Sequence, residues 1–219
     1  MLTKKFLLFL SILLFITFIL FSYLVAKEKF TQIDFDTTVK FQDKIARRLD
    51  GPLSIFSLVG MAEITGFIWF ILIIFLLLKK HFLSAFSFGL FLLGLIIELF
   101  GKLFVHHPSP PFLFYRGVFD FEFPSNFVHT DYSYPSGHVY RATFLLTFLF
   151  LYFYFRFKSP YKYFFLSTFT LLFFGMIVSR IYLGEHWTTD VVGGALLGTS
   201  LGIVPLLFIP LKTKVTEVA

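Results

Sequence analysis

The 219-residue chain has no cysteine, which excludes disulfides, thiolate nucleophiles, thiolate metal sites and cysteine-borne lipid anchors. Charge is scarce: 15% of residues are Asp, Glu, Lys or Arg, and they fall into a few clusters. No internal repeat and no low-complexity linker interrupts the chain. The remainder is apolar, with 57% hydrophobic and 22% aromatic residues, 36 Phe among them, and a mean hydropathy of +0.83. This is the composition of an integral membrane protein. At about 20 apolar residues per span the length accommodates roughly six helices with short connections. No room is left for an appended soluble domain, so a single domain over residues 1–219 is expected. A net charge of +6 would suggest nucleic acid for a soluble protein. Here Lys and Arg sit mostly at helix ends, where orientation and anionic lipid account for them, and no nucleic-acid partner is expected.

The expected architecture is all-α: a six-helix membrane bundle with an interfacial amphipathic helix after the first span. Lys4 and Lys5 precede an apolar run from Phe6 to Ala26. It reads as a transmembrane helix, because it is long for a signal peptide and Leu24 occupies a position where a cleavage site has a small residue. Residues 27–52 mix charges around Phe41, Ile45 and Leu49 and end at Gly51-Pro52, which predicts a helix lying in the interface. Further spans are expected at about 58–78, 82–104, 138–156, 163–183 and 189–209, with a long aromatic loop from His106 to Tyr134. Lys4, Lys5, Lys79, Lys80, Arg156, Lys158, Lys162, Lys212 and Lys214 all fall on one side, which the positive-inside rule makes cytoplasmic together with both termini. The 27–52 segment carries six Lys or Arg on the other side, but five acids are interspersed among them.

Three polar islands interrupt the apolar sequence in the opposite, extracytoplasmic plane. The first is Lys102 with the loop that follows, the second Pro135-Ser136-Gly137-His138, the third Ser179 to Asp190. Ionisable residues at such depths are functional candidates by default. In the third island His186 and Asp190 stand at i and i+4, on one face of a helix start, after a break at Gly184. A carboxylate bonded to one ring nitrogen fixes the imidazole tautomer and leaves the other nitrogen as nucleophile or base. Arg180 adds a planar cation suited to phosphate. In the second island the Ser136 hydroxyl and the backbone N–H groups around Gly137 open a helix, a geometry that receives anions. Each island also has a plainer reading: headgroup anchors for the third, a helix cap with an interfacial histidine for the second, and an i,i+4 pair of Lys102 with Glu98 for the first.

Together the second and third islands resemble the type-2 phosphatidic acid phosphatase family, the membrane branch of the acid phosphatase and vanadium haloperoxidase superfamily. Its signature reads K-x6-R-P, P-S-G-H and S-R-x5-H-x3-D. The second element is met by Pro135-Ser136-Gly137-His138, and the third by Ser179, Arg180, His186 and Asp190. The first is met by Lys102 and Pro110, with Ser109 where the family has arginine.

The resemblance implies a metal-independent lipid phosphatase acting on phosphate or diphosphate esters such as phosphatidate, phosphatidylglycerol phosphate or polyprenyl diphosphate. His186 would form a phosphohistidine, Asp190 would orient it, and His138 would serve as acid and then base. Lys102, Ser136, Gly137 and Arg180 would hold the phosphate oxygens. Arg141, one helical turn beyond His138, is expected either to replace the charge absent at Ser109 or to pair with Glu98. No cofactor or metal is called for, and His106, His107 and His129 with Asp131 read as interfacial loop residues rather than ligands. A lipid phosphotransferase using the same intermediate, and a silent lipid-binding or transport relative, are the alternatives.

Overall fold

The computed structural model describes residues 2–119, 124, 130 and 132–211. Among them the secondary structure is helical throughout: α1 (Leu2–Ala26), α2 (Thr31–Lys44), α3 (Asp50–Leu58), α4 (Ala62–Leu78), α5 (Phe82–Ser87), α6 (Leu90–Phe104), α7 (Gly137–Arg156), α8 (Tyr161–Tyr182) and α9 (Thr188–Ile203), with short 3₁₀ turns at Arg47–Leu49, Phe112–Phe114 and Val204–Phe208. Among the described residues, five segments are long and apolar enough to cross a membrane: Thr3–Ala26, Phe82–Phe104, Gly137–Arg156, Tyr161–Tyr182 and Thr188–Phe208. The bent pair Arg47–Leu58 and Ala62–Leu78, at 42°, makes a sixth if it is counted as one span. The protein is therefore an all-α integral membrane bundle.

Two spans that read as continuous in the sequence are broken. The second is interrupted between Leu58 and Ala62, where a Cβ on Gly60 would lie 2.7 Å from His138 Cβ. The break lets the backbone touch α7 at the height of the second polar island. The third span divides at Phe88-Gly89, and Trp69 Nε1 donates to the Phe88 carbonyl at 2.9 Å. The same carbonyl accepts from the Phe91 amide at 3.0 Å, so a side chain reinforces the turn that joins the two pieces.

The centre of the bundle is the packing of α9 on α7, with α1 on its other side. Gly194, Gly198 and Gly202 recur every four residues along α9. A Cβ at each would fall 2.5 Å from the Ser136 carbonyl, 2.4 Å from that of Tyr140 and 2.4 Å from that of Phe144. This small-residue stripe permits backbone-to-backbone approach where apolar burial alone supplies no drive in lipid. Around it Phe88, Phe91, Tyr140, Phe144 and Phe148 form an aromatic cluster buried against Leu197 and Leu201. Because α7 and α9 are locked in register, their N-termini meet. The second and third polar islands are thereby brought to one end of the bundle.

The opposite end gathers basic residues of α1 and α7 beside the turn that follows α9. Lys4 Nζ donates to the Leu207 carbonyl at 2.6 Å, and Arg156 to that of Pro210 at 3.0 Å. Lys212 and Lys214 of the expected basic cluster lie outside the described residues.

The helix expected after the first span is α2, ending at Lys44, so that Ile45 and Leu49 continue beyond it rather than extending its stripe. Its buried positions are the polar Asp34 and Thr38, while Ile33 and Phe35 are exposed. Gln42 donates to the carbonyls of Phe114 (2.7 Å) and Tyr182 (2.9 Å), tying α2 to the loop and to the end of α8.

Candidate active site

Gly184 has φ +67°, and a Cβ there would lie 2.3 Å from the Phe114 carbonyl. Only glycine meets both demands easily. The turn it makes folds the chain back, so that the amides of Glu185 and His186 both donate to the Arg180 carbonyl at 3.2 Å. Arg180 and His186, six positions apart, become neighbours. Helix α9 then begins, and Asp190 in its first turn accepts from the Trp187 amide at 3.0 Å through Oδ2. The same oxygen lies 3.2 Å from His186 Nδ1. A carboxylate that caps its helix is favoured by the helix dipole, and this one also points Nε2 of His186 away from itself.

Asp190 is fully buried and His186 nearly so. Burial pushes the His186 imidazole down to about 4, outweighing Asp190, which acts in the other direction, and helped by the charges of Arg180 and Lys102. At neutral pH the ring is uncharged, with a lone pair at Nε2, as a nucleophile requires.

On α7, Ser136 is the N-cap, and its Oγ accepts from the Val139 amide at 3.5 Å. Its own amide donates to the Asp190 carbonyl at 3.0 Å, joining the two helix starts. A Cβ on Gly137 would meet the Glu98 carboxylate at 1.8 Å, so the absence of a side chain is what lets this acid reach the helix N-terminus. Glu98 is held there by Lys102 Nζ at 2.9 Å and Arg141 at 3.1 Å, while Arg141 Nε also donates to the Gly60 carbonyl at 3.3 Å. Both pairings expected of Glu98 are therefore made. Lys102 and Arg141 nevertheless remain close enough to His138 for their charges to act on it. Ser109 is exposed.

His138 and Arg180 face a cavity of about 630 Å³ that is also lined by Ser57, Met61, Tyr115 and Glu185. The Arg180 guanidinium pairs with Glu185 and bonds to the Ser57 hydroxyl, while its Nε is buried without a partner. The cavity rim includes Pro110, Phe112 and Phe119 from the aromatic loop, and Phe112 is 87% exposed.

The eight residues singled out in the sequence thus converge from α6, α7, the end of α8 and the start of α9. Two residues that sequence reasoning missed join them. His107 is buried, unlike exposed His106, which packs edge-on to Tyr132. The interfacial reading of the loop histidines therefore fits His106 and not His107; His129 and Asp131 lie outside the described residues. His107 Nδ1 is 3.0 Å from Asp190 Oδ1, and its Nε2 is 3.4 Å from Asp34 Oδ2. No sequence motif marks either residue, since the contact joins α2, a loop and α9.

Comparison with known proteins bears on the fold and the family. The sequence profile of the PAP2 superfamily matches residues 82–214. No curated protein matches significantly. Among solved structures, the fold is similar to that of a transmembrane PAP2-type phosphatidylglycerolphosphate phosphatase from Bacillus subtilis, with a TM-score of 0.69 and 19% identity, covering 89% of this chain and 93% of that one. It is also similar to LpxE from Aquifex aeolicus, with a TM-score of 0.56 and 24% identity, covering 80% of this chain and 94% of that one. At such identities the likeness speaks for the fold, and the family follows from the profile match over more than half the sequence: this integral membrane protein belongs to the PAP2 superfamily.

Proposed function

We propose that the protein is a metal-independent lipid phosphatase that works through a phosphohistidine at His186. The observation that carries this reading is the buried His186–Asp190 pair, with Nδ1 held at 3.2 Å, set beside Arg180 and His138 at the cavity.

Phosphoryl transfer depends on positioning and on charge stabilisation at the equatorial oxygens. Nε2 of His186 attacks phosphorus, and the bond from phosphorus to the lipid oxygen breaks. His138 then takes a proton from water, which attacks the phosphohistidine and releases phosphate, returning His186 to its starting state. Asp190 stabilises the imidazolium that forms during attack.

Arg180, Lys102 and Arg141 supply positive charge, with Ser136 and Gly137 at the start of α7. The carboxylates of Glu98 and Glu185 now occupy these cations, which must share their donors with an arriving phosphate. An arginine has five donors and a lysine three, so sharing is feasible. Among the described residues no group of three or more His, Asp or Glu side chains is arranged to hold a metal ion, and the cations come from the chain itself.

The cavity lies at the end of membrane helices, under an aromatic rim, which suits an ester whose tail stays in the bilayer. The basic residues at the opposite end support cytoplasmic termini and an extracytoplasmic site.

The test is purified protein in detergent offered a panel of lipid phosphates and diphosphates, with and without exhaustive chelation. Phosphate release that survives chelation and is blocked by vanadate is expected. Phosphate appearing on an added lipid alcohol would instead indicate a transferase, no turnover of any substrate a silent binder, and activity restored only by a divalent ion a different mechanism.

A further inference from the structure

Behind the nucleophile pair stands a second layer, built from segments remote in sequence. His107 lies between two buried carboxylates, with Nδ1 at 3.0 Å from Asp190 Oδ1 and Nε2 at 3.4 Å from Asp34 Oδ2. The Asp190 contact is an ion pair rather than a well-aligned hydrogen bond, since Oδ1 finds no partner of good angle. Asp34 is fixed in turn by the start of α9: Thr189 donates to it through its amide at 2.8 Å and through its hydroxyl at 2.7 Å. The Thr189 hydroxyl also lies 3.3 Å from His107 Nε2. Ser133 closes the other side, with its amide and hydroxyl both donating to the His107 carbonyl at 3.0 Å, and the Tyr134 ring packs edge-on at 6.3 Å. The groups facing His107 are thus Asp34 from α2, Asp190 and Thr189 from α9, and Ser133 and Tyr134 from the loop.

We propose that His107, held by Asp34, is a positioning residue that offsets part of the Asp190 charge and so keeps His186 neutral and aimed at the substrate. Two adjacent buried carboxylates without a cation between them would be costly. They would also draw a proton onto His186 and remove the lone pair the reaction needs. A charged His107 leaves the row Asp34, His107, Asp190, His186 with one net negative charge before attack and none once the imidazolium forms. Burial alone would depress the His107 ring. The close contacts and negative charges of Asp190 and then Asp34 outweigh it and raise the group to about 9. The layer also gives α2 a reason for its inward polar face.

This inference rests on the phosphatase reading, and the experiment separates the two. Wild type and His186→Ala establish turnover; absence of phosphate release in wild type defeats that reading without touching the pairing of His107. In His107→Asn, KM should stay within about twofold while kcat falls by about 10- to 100-fold, the range known for groups that orient a metal-bound histidine from behind. The acid limb of kcat/KM should move up by about one pH unit, because removing a cation favours protonation of His186. In an Asp190→Asn background the same change should cost little more. Unchanged kcat and acid limb, or losses that multiply in the double variant, would overturn the proposal.

Should His107→Asn fail to fold, ¹⁵N-histidine NMR of the wild type in micelles decides, assigned by single replacement of the other histidines. His107 doubly protonated at pH 7.5 is the expected state, and a neutral His107 ends the proposal.

Discussion

The two sides of the site are held differently. Around the proposed nucleophile the contacts join groups whose charges and lone pairs suit one another: His186 to Asp190, Asp190 to His107, His107 to Asp34, Asp34 to the first turn of α9. This side is held entirely by the chain's own groups. On the phosphate side each cation faces a carboxylate instead: Lys102 and Arg141 share Glu98, and Arg180 holds Glu185. The proposed nucleophile is held in place by the chain itself, whereas the proposed cradle is charged and its cations are paired. Preorganisation costs nothing at the moment of reaction, and pairing the buried cations with carboxylates avoids burying bare charge. Loss of a nucleophile-side group should therefore act on kcat, and loss of a placeholder carboxylate on anion affinity.

Among changes that leave His186 in place, the largest effect is expected from Asp190→Asn, which keeps size but weakens the hold on the His186 tautomer. A fall in kcat of about 10³- to 10⁴-fold is expected from steady-state kinetics, by analogy with the equivalent change in serine hydrolase triads. A fall of tenfold or less would mean that this side is not the nucleophile's support.

Next is Arg141→Ala, which removes one of the two cations on Glu98. A cradle role predicts folded protein with transition-state stabilisation reduced by about 2 to 4 kcal/mol, partly restored by Ser109→Arg. Unchanged kcat/KM, or loss of folded yield with normal kinetics in the surviving fraction, would assign Arg141 to structure alone.

Stability against pH distinguishes the two histidines of the nucleophile side. His186 is depressed to about 4 when folded, so between there and its unfolded value of about 6.5 the unfolded chain binds more protons and stability is lost as pH falls. His107 is raised to about 9, so its contribution is complete below about 6.5 and lost as pH rises through 9. Thermal unfolding in detergent should show both slopes, and His107→Asn should remove the alkaline one. Persistence of that slope in the variant would assign it to another group.

The smallest effect is expected from Glu185→Gln, which frees the Arg180 guanidinium from its anionic partner. Vanadate should bind up to about tenfold more tightly, about 1.4 kcal/mol, with kcat little changed. Weaker binding would show that Glu185 supports the cradle rather than occupying it.

Much of this arrangement was legible in the sequence, and the rest was not, for physical reasons. Apolar runs separated by basic clusters locate the spans, since lipid admits few other patterns. Short motifs locate His138, Arg180, His186 and Asp190, because each lies within one helix start or one turn. The Gly194, Gly198 and Gly202 stripe was present at a readable spacing and explains why α7 and α9 meet. The breaks at Gly60 and Phe88 were hidden, because apolarity continues across them. Asp34 and His107 were hidden for a deeper reason: a carboxylate in a charged helix and a histidine in an aromatic loop look interfacial until the fold brings them together. Glu98 and Glu185 became visible as occupants of the cradle only once the cations had positions.

The most direct test of the account is to trap the intermediate. Labelled lipid phosphate, turned over for milliseconds and quenched in base, should leave label that is stable to alkali, labile to acid and confined to the peptide containing His186. Asp190→Asn should slow its formation, and His186→Ala should abolish it along with turnover. Label on a serine, or full activity in His186→Ala, would contradict the account.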